Sequence, residues 1–501
     1  MLPPLFGAQA RPHPPSLLDT GSAAGDRDPI GCGFSRRERT LDTTAIPHRP
    51  GRLPVIGDLL GASFRTPLQG TMRAGEKLGP IFTRKFFGLE IVFVTGIDLV
   101  TELNDETKFG KHVGLGVERL RAVAGDGLFT AHTREPNWRL AHDILQPAFS
   151  AESMRRYHAT MLEVAGELTA AWDRATGPVD VAADMTRLTL ETIGLAGFGY
   201  RFGSFERAEP HPFVTAMIRA LRFAQLENVK VPFVRYALAG SAAQNRADIA
   251  TMTDLVDEVI ETRRREGGEV RDLLGLMLAE GHPETGEQLD PVNIRNQAIT
   301  FVVAGHETTS GALSFALYYL TRHPELLAKA RAEVDAVWGD REPAFGDVAK
   351  LRYVRRVLDE AMRLWPTAPG YSREAREDLV LGGKYPMRKG DSVIVPLPML
   401  HRDPAVWGPD PEKFDPDRFE PAAVRKRPAQ AYKPFGTGER ACIGRQFALH
   451  EAVLALGIML QRYDFEADPA YELKIVESLT LKPSGFTVRP RLRERAAVLT
   501  S

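Results

Sequence analysis

Between Asn296 and Thr321 the chain runs for 26 residues with one full charge, Glu307. A stretch of that length and polarity is either a membrane span or a helix buried on every side within a domain. A carboxylate at mid-span is costly in lipid, and this one sits among His306, Thr308, Thr309 and Ser310, with Asn296 and Gln297 near one end. The buried central helix is therefore the better reading. From Val292 to Arg322 it would extend about 46 Å, enough to cross a whole domain.

Apolar residues at three- and four-residue spacings predict further helices over Met154 to Arg174, Asp184 to Phe198, Ala247 to Arg265 and Glu325 to Trp338. Extended pieces are fewer: a hairpin between Leu78 and Val94, then Leu379 to Lys384, Ser392 to Leu397 and Leu479 to Val488. The fold class is mainly α with small β-sheets. Residues 1–50 read as a disordered tail and 51–501 as one domain, because the first 54 residues hold 9 of the 36 prolines and only two aromatics, Phe6 and Phe34. The tail has neither the apolar run of an anchor nor that of a secretory signal. Its arginines at Arg36, Arg37 and Arg39 weakly resemble a transit peptide, but Asp19, Asp26, Asp28 and Glu38 argue against one. A start assigned too early accounts for the segment equally well.

With 64 basic and 65 acidic residues the chain has no overall field to attract nucleic acid or an anionic membrane. Two cysteines, Cys32 and Cys442, cannot build a disulfide framework, which points to a reducing cytoplasm. Three other chemistries drop out on pattern. His306-Glu307 would need a histidine at 310 to hold zinc, and that residue is Ser310. Gly436-Thr437-Gly438-Glu439-Arg440-Ala441 matches a loose dinucleotide fingerprint, but no strand leads into it. No phosphate-binding loop and no zinc-spaced cluster is present.

What remains is Lys433-Pro434-Phe435-Gly436-Thr437-Gly438-Glu439-Arg440-Ala441-Cys442-Ile443-Gly444, followed by a helical pattern from Gln446 to Arg462. Cys442 then lies at the mouth of a helix, where free amides and the helix dipole favour a thiolate. Glycines on both sides let the backbone approach a flat ligand, Phe435 would shield the sulfur, and Arg440 is placed to reach an anionic group. A buried structural cysteine in a glycine-rich turn is the plain alternative for Cys442 taken alone.

The complete pattern F-G-x-G-x-R-x-C-x-G resembles the haem-binding loop of the cytochrome P450 monooxygenases. Three other elements carry the same resemblance. Ala304-Gly305-His306-Glu307-Thr308-Thr309 matches the oxygen-activation motif, in which Gly305 would let the helix open and a threonine hydroxyl would pass protons. Glu360-Ala361-Met362-Arg363 with Arg418 matches a buried structural network. Trp138 and His142, on a helix predicted to begin near Asn137, match the pair that with Arg440 would bind haem propionates. The match extends from about Ile46 to Arg491, as a single haem domain of the cytochrome P450 fold, and is nearest to the bacterial self-sufficient fatty-acid hydroxylases, whose haem domain is fused to a diflavin reductase.

The resemblance implies haem b with its iron on Cys442, and hydroxylation of medium- or long-chain fatty acids or similar lipophiles with dioxygen. Thr308 and Glu307 would deliver protons. Electrons would come from NADPH through a separate or missing FAD/FMN reductase, a flavoprotein or ferredoxin partner that could dock on Arg425, Lys426, Arg427, Lys433 and Arg445. Phe129 would overhang the haem and select the carbon attacked, with Val117, Leu120, Val123, Ala304, Ala368 and Leu479 lining an apolar channel. No nucleic acid and no membrane anchor is implied. Other readings are a peroxide-driven peroxygenase and a haem-binding sensor or carrier. One departure matters: the nearest hydroxylases hold the substrate carboxylate with an arginine and a tyrosine, and the matching positions here are Leu89 and Phe93. Arg84 or Lys85 could substitute, or the substrate carries no carboxylate.

Overall fold

The nearly uncharged segment is one continuous helix, Pro291–Arg322. Its start is set by Asp290, whose carboxylate accepts from the amides of Val292 (2.8 Å) and Asn293 (2.9 Å), with Pro291 in the first helical position. Pro324 follows its end. In this computed structural model the described residues are 43–494 other than 61, 64, 228–238 and 268–270. The chain divides into Met1–Arg39 and Thr40–Ser501, and the first unit, with most of the segment read as a tail, lies outside the described residues.

The longer helices are α1 (Pro67–Gly75), α2 (Pro136–Leu145), α3 (Ala151–Asp173), α4 (Val181–Phe198), α5 (Pro212–Glu227), α6 (Ala239–Glu266), α7 (Pro291–Arg322), α8 (Pro324–Trp338), α9 (Arg352–Leu364) and α10 (Arg445–Arg462). Several begin a turn before the periodicity predicts. The reason is capping: Ser150 and Asp180 accept from amides three residues on, so polar first-turn residues are already helical. A five-stranded sheet, β1 (Ile81–Phe86), β2 (Leu89–Val94), β3 (Phe109–Lys111), β4 (Gly370–Ala375) and β5 (Ser392–Pro396), has the order β1-β2-β5-β4-β3. The predicted hairpin is β1 and β2, and Leu481–Pro483, here β6, falls in the last extended stretch.

Helix α7 is buried on most of its circumference, and its small residues explain how. A Cβ on Gly305 would lie 2.9 Å from Cγ1 of Ile193, so α4 packs directly on the α7 backbone. A Cβ on Gly311 would lie 2.7 Å from the Leu481 carbonyl, so β6 does the same on another side. Gly305 was expected to open the helix; the helix is unbroken there, and the glycine serves close contact with α4. Thr189 adds a hydrogen bond from its hydroxyl to the His306 carbonyl, 2.9 Å. Among the described residues no helix is long and apolar enough to cross a membrane.

Candidate functional site

The cysteine loop is a tight excursion closed at its base, where the Cys442 amide donates to the Phe435 carbonyl (2.8 Å). Gly436 and Gly438 have φ of 73° and 66°, a region costly for residues with a Cβ. A Cβ at Gly438 would also strike the Glu106 carboxylate, which accepts from the Glu439 amide at 3.1 Å. Helix α10 begins three residues after the cysteine. At the other end of the loop the Lys433 amide donates to Nε2 of His401 (3.1 Å), and Nδ1 of His401 donates to the Arg363 carbonyl (3.2 Å). Burial pushes His401 down to about 3, so the ring is neutral and keeps this one tautomer.

Arg363 in turn is fully buried, paired through two nitrogens with Glu360 (2.6 and 2.7 Å) and donating to the carbonyls of His401, Pro411 and Lys413. Arg418 stands 3.6 Å from Glu360. These three charges form a core clamp, distant in chemistry from any reacting atom, and through His401 they hold the register of the cysteine loop.

Two sets of contacts join α7 to the region of the cysteine loop. At one end Phe435 packs against Ala312, Met362 and Leu449. At the other end Leu128 bridges the two elements, its amide donating to Oε1 of Gln297 on α7 (2.9 Å) and its carbonyl accepting from Arg440 (3.1 Å). Between these anchors Ala304 is exposed and Thr308 partly exposed on an otherwise buried stretch of helix, and Phe129, Ala368 and Cys442 are exposed from three other elements. Exposed surface on these side chains, set among buried neighbours and between the two anchors, marks a slot between the helix and the loop. Of the other expected lining residues, Leu120 and Val123 are buried in the main core, Leu479 packs partly against it, and Val117 is half-buried.

At the Leu128 end the slot carries two cations. Arg440 lies 4.5 Å from the Trp138 ring and donates to Thr133 and to the carbonyls of Leu128 and Ala131. Trp138, which is buried, stacks on His142 at 5.3 Å, and His142 contacts Asp143 at 2.9 Å. Burial pushes Arg440 down to about 10. The second cation, Lys111 at the end of β3, was not singled out from the sequence: a lone lysine closing a short strand carries no local signal. Burial, then repulsion from Arg440, holds its amine well below the ordinary range, and no carboxylate among the described residues pairs with it. Two cations crowded together, neither hydrogen-bonded to a carboxylate among the described residues, suit an anionic group. The residues expected to receive an electron donor divide: Arg425 and Lys426 close a short helix, whereas Arg427 packs over Trp407 (3.9 Å) and Phe419 and is withdrawn from the surface.

Along α7 the acid and the alcohol face different surroundings. Thr308 donates to the Ala304 carbonyl (3.0 Å) beside the slot. Burial alone would push the Glu307 carboxyl up; His306, Lys482 and Thr480 overcome that and hold it well below the usual carboxylate range. Lys482 stands 3.3 Å from Oε1, and Thr480 donates to Oε2 at 2.9 Å. His306 bonds the Val302 carbonyl through Nδ1 and brings Nε2 within 3.1 Å of Oε1, without hydrogen-bond alignment. One further acid was missed: Glu451 on α10, fully buried, with its carboxyl pushed up to about 8 by burial despite hydroxyls at Thr192 and Thr309. A glutamate in a helical pattern gives no sign that both neighbouring faces are apolar.

The donor set fits haem better than a bare metal ion. Among the described residues no three histidine, cysteine or acidic groups converge on one point, so a metal at Cys442 would need its other ligands from a cofactor. Although its side chain keeps exposed surface, Cys442 is enclosed by the surrounding protein, and that desolvation pushes its thiol up; the Gly444 amide and Arg445 recover only part, so thiolate formation calls for a cation at the sulfur. The slot, the single sulfur and the crowded cations at one end are the features a planar, dianionic iron cofactor requires. The comparisons agree. The family model for cytochrome P450 matches residues 47–490. The chain is 49% identical over 434 residues to bifunctional cytochrome P450/NADPH–P450 reductase 2 of Bacillus subtilis strain 168, covering 86% of this chain and 41% of that protein. It is 48% identical over 450 residues to a bifunctional cytochrome P450/NADPH–P450 reductase of Bacillus cereus, covering 89% and 42%. A self-sufficient cytochrome P450 monooxygenase of Phanerodontia chrysosporium is 41% identical over 457 residues, covering 90% and 43%. The chain thus spans about two fifths of the length of the curated relatives it matches, and with a family match across most of its residues it belongs to the cytochrome P450 family.

Proposed function

We propose that the chain is the haem-thiolate part of a monooxygenase that hydroxylates medium- or long-chain fatty acids, or similar lipophiles, with dioxygen and electrons passed from NADPH by a flavoprotein reductase. The observation that carries the reading is the exposed Cys442 in a glycine-bounded loop that Phe435, Leu128 and Arg440 tie to α7, the helix on which Ala304 and Thr308 also keep exposed surface. Bound there, haem supplies an iron centre able to activate dioxygen. Cys442 would hold it through its sulfur, while Arg440, Lys111, Trp138 and His142 would take its carboxylates.

The chain's own residues supply the rest. Thr308 can exchange its bond to the Ala304 carbonyl for one to a group in the slot and so hand on a proton. Glu307, kept ionised by His306, Lys482 and Thr480, holds that polar network in order rather than taking up protons itself, and Thr308 is the group placed to deliver them. Phe129 and Ala368 would shape the substrate end of the slot. At the hairpin, Leu89 and Phe93 offer no charge, and Arg84 is committed to Thr71 (2.7 Å) and to the Phe86 ring (4.8 Å). Lys85 lies opposite Glu90 across the hairpin. A substrate held by its chain rather than by a carboxylate fits this mouth. The expected test is spectroscopic: the reduced protein under carbon monoxide shows the red-shifted Soret band of thiolate ligation, and Cys442→Ala loses it. A Soret band at the ordinary position in folded wild-type protein would sink the assignment.

A further inference from the structure

The segment that carries Phe129 is held almost entirely through its backbone. The Leu128 amide donates to Gln297, and the carbonyls of Leu128, Thr130 and Ala131 accept from Arg440, Arg121 and Arg440 respectively (3.1, 2.9 and 2.8 Å). The Thr130 hydroxyl closes the turn onto the Gly125 carbonyl at 2.8 Å. None of these contacts restrains the Phe129 ring, which is 43% exposed on the slot side. One side chain does both. Lys111 donates to the Phe129 carbonyl at 2.5 Å, and its Nζ stands 5.1 Å from the Phe129 ring centroid.

The placement of Lys111 follows from the sheet. It ends β3 opposite Arg373 in β4, and that pairing fixes the direction in which it leaves the strand. With Arg440 crowding it and no carboxylate among the described residues paired with it, its Nζ finds its protein partners in a carbonyl and an aromatic face. We infer that Lys111 is a positioning residue for specificity: by gripping both the carbonyl and the ring of Phe129, it selects the ring orientation presented to substrate, and hence the carbon that is hydroxylated. This rests on the proposed reading that Phe129 faces the substrate. It adds a residue on a different element, β3, that sets where Phe129 points.

The experiment compares wild type with Phe129→Ala, Lys111→Met, Lys111→Gln and Lys111→Arg, each as the haem-loaded chain with a flavoprotein reductase. Dodecanoic acid and 1-dodecanol are the probes. Two quantities are read: the ratio of hydroxylated positions by mass spectrometry, and the substrate-induced spin-state change, which needs no turnover. The expected result is that Phe129→Ala redistributes products, Lys111→Met moves the ratio of the two leading positions by at least about threefold and alters the spin-state response, and Lys111→Arg returns both toward wild type. Lys111→Gln keeps a donor for the carbonyl without the charge. An intermediate shift there assigns part of the effect to the ring contact, and it serves if the methionine variant fails to load haem. If Phe129→Ala redistributes products while Lys111→Met and Lys111→Gln leave ratio and spin response unchanged, the inference is overturned and the Phe129 reading stands. If Phe129→Ala itself changes nothing, the reading beneath it is overturned and the inference falls with it.

Discussion

Replacing Glu307 with glutamine keeps the shape of the side chain and removes its charge, which isolates what the buried pair with Lys482 contributes. Both side chains are largely buried, with Lys482 Nζ 3.3 Å from the carboxylate. Removing one partner of such a pair costs about 3–5 kcal/mol. The amide oxygen can still accept from Thr480 and Lys482, which places the expected loss near the lower figure, about 3 kcal/mol. A ceiling exists, because Lys482 can discard its proton. At pH 7 that step costs about 1.36 kcal/mol for each of about 3.4 units below its unfolded value near 10.4, or about 4.6 kcal/mol. The pH dependence has a definite sign. A carboxyl held below its ordinary value stabilises the fold fully above the unfolded pKa near 4.3 and loses that contribution as pH falls through and below it. The gap between wild type and Glu307→Gln should therefore be full at pH 7 and narrow below about pH 4. Urea unfolding of wild type, Glu307→Gln, Lys482→Met and the double variant measures the coupling. A Glu307→Gln loss under about 1 kcal/mol, or one unchanged in the Lys482→Met background, would refute the reasoning.

Other perturbations test separate parts of the molecule. Glu451 has a carboxyl raised to about 8, so the folded state binds a proton that the unfolded state releases above about pH 4.3; stability should decline between those values, and Glu451→Gln should flatten the decline in a series of urea midpoints against pH. Gly305→Ala drives a Cβ to 2.9 Å from Cγ1 of Ile193, with an expected loss of about 1–3 kcal/mol that should be smaller in an Ile193→Ala background, where that carbon is gone; a neutral effect in the wild-type background would refute direct α4–α7 contact. Arg363→Met leaves Glu360 and three carbonyls buried without their donor, and should cost at least about 3 kcal/mol and lower the fraction of protein showing the red-shifted Soret band. Gly438→Ala must adopt a φ of 66° against the Glu106 carboxylate, and Glu106→Ala in the same chain should relieve the clash but not the backbone strain, which thermal midpoints of the single and double variants separate.

How far the sequence could be read depended on the kind of signal. Local patterns carried the helices and the hairpin, since apolar period and capping residues act within a few residues of one another. The cysteine loop was legible because glycine at positive φ, a helix start and the cysteine must occur at fixed spacing. Lys111 and Glu451 were not legible. Lys111 matters because strand pairing brings it against Phe129 and Arg440, and Glu451 because helices on two sides remove its water. Arg427 shows the converse: a charge in a basic run reads as surface, yet its flat guanidinium packs against the Trp407 and Phe419 rings.

The same division explains Thr308 and Glu307, adjacent in sequence and grouped as one motif. Spacing alone determined that a buried helix carries an acid followed by an alcohol, and that a cysteine loop precedes another helix. Only tertiary structure decided that the alcohol borders the slot while the acid is drawn into an ion pair with Lys482. Successive residues of an α-helix point about 100° apart, so neighbours in the chain meet different walls, and what each wall holds is set by strands and helices hundreds of residues away.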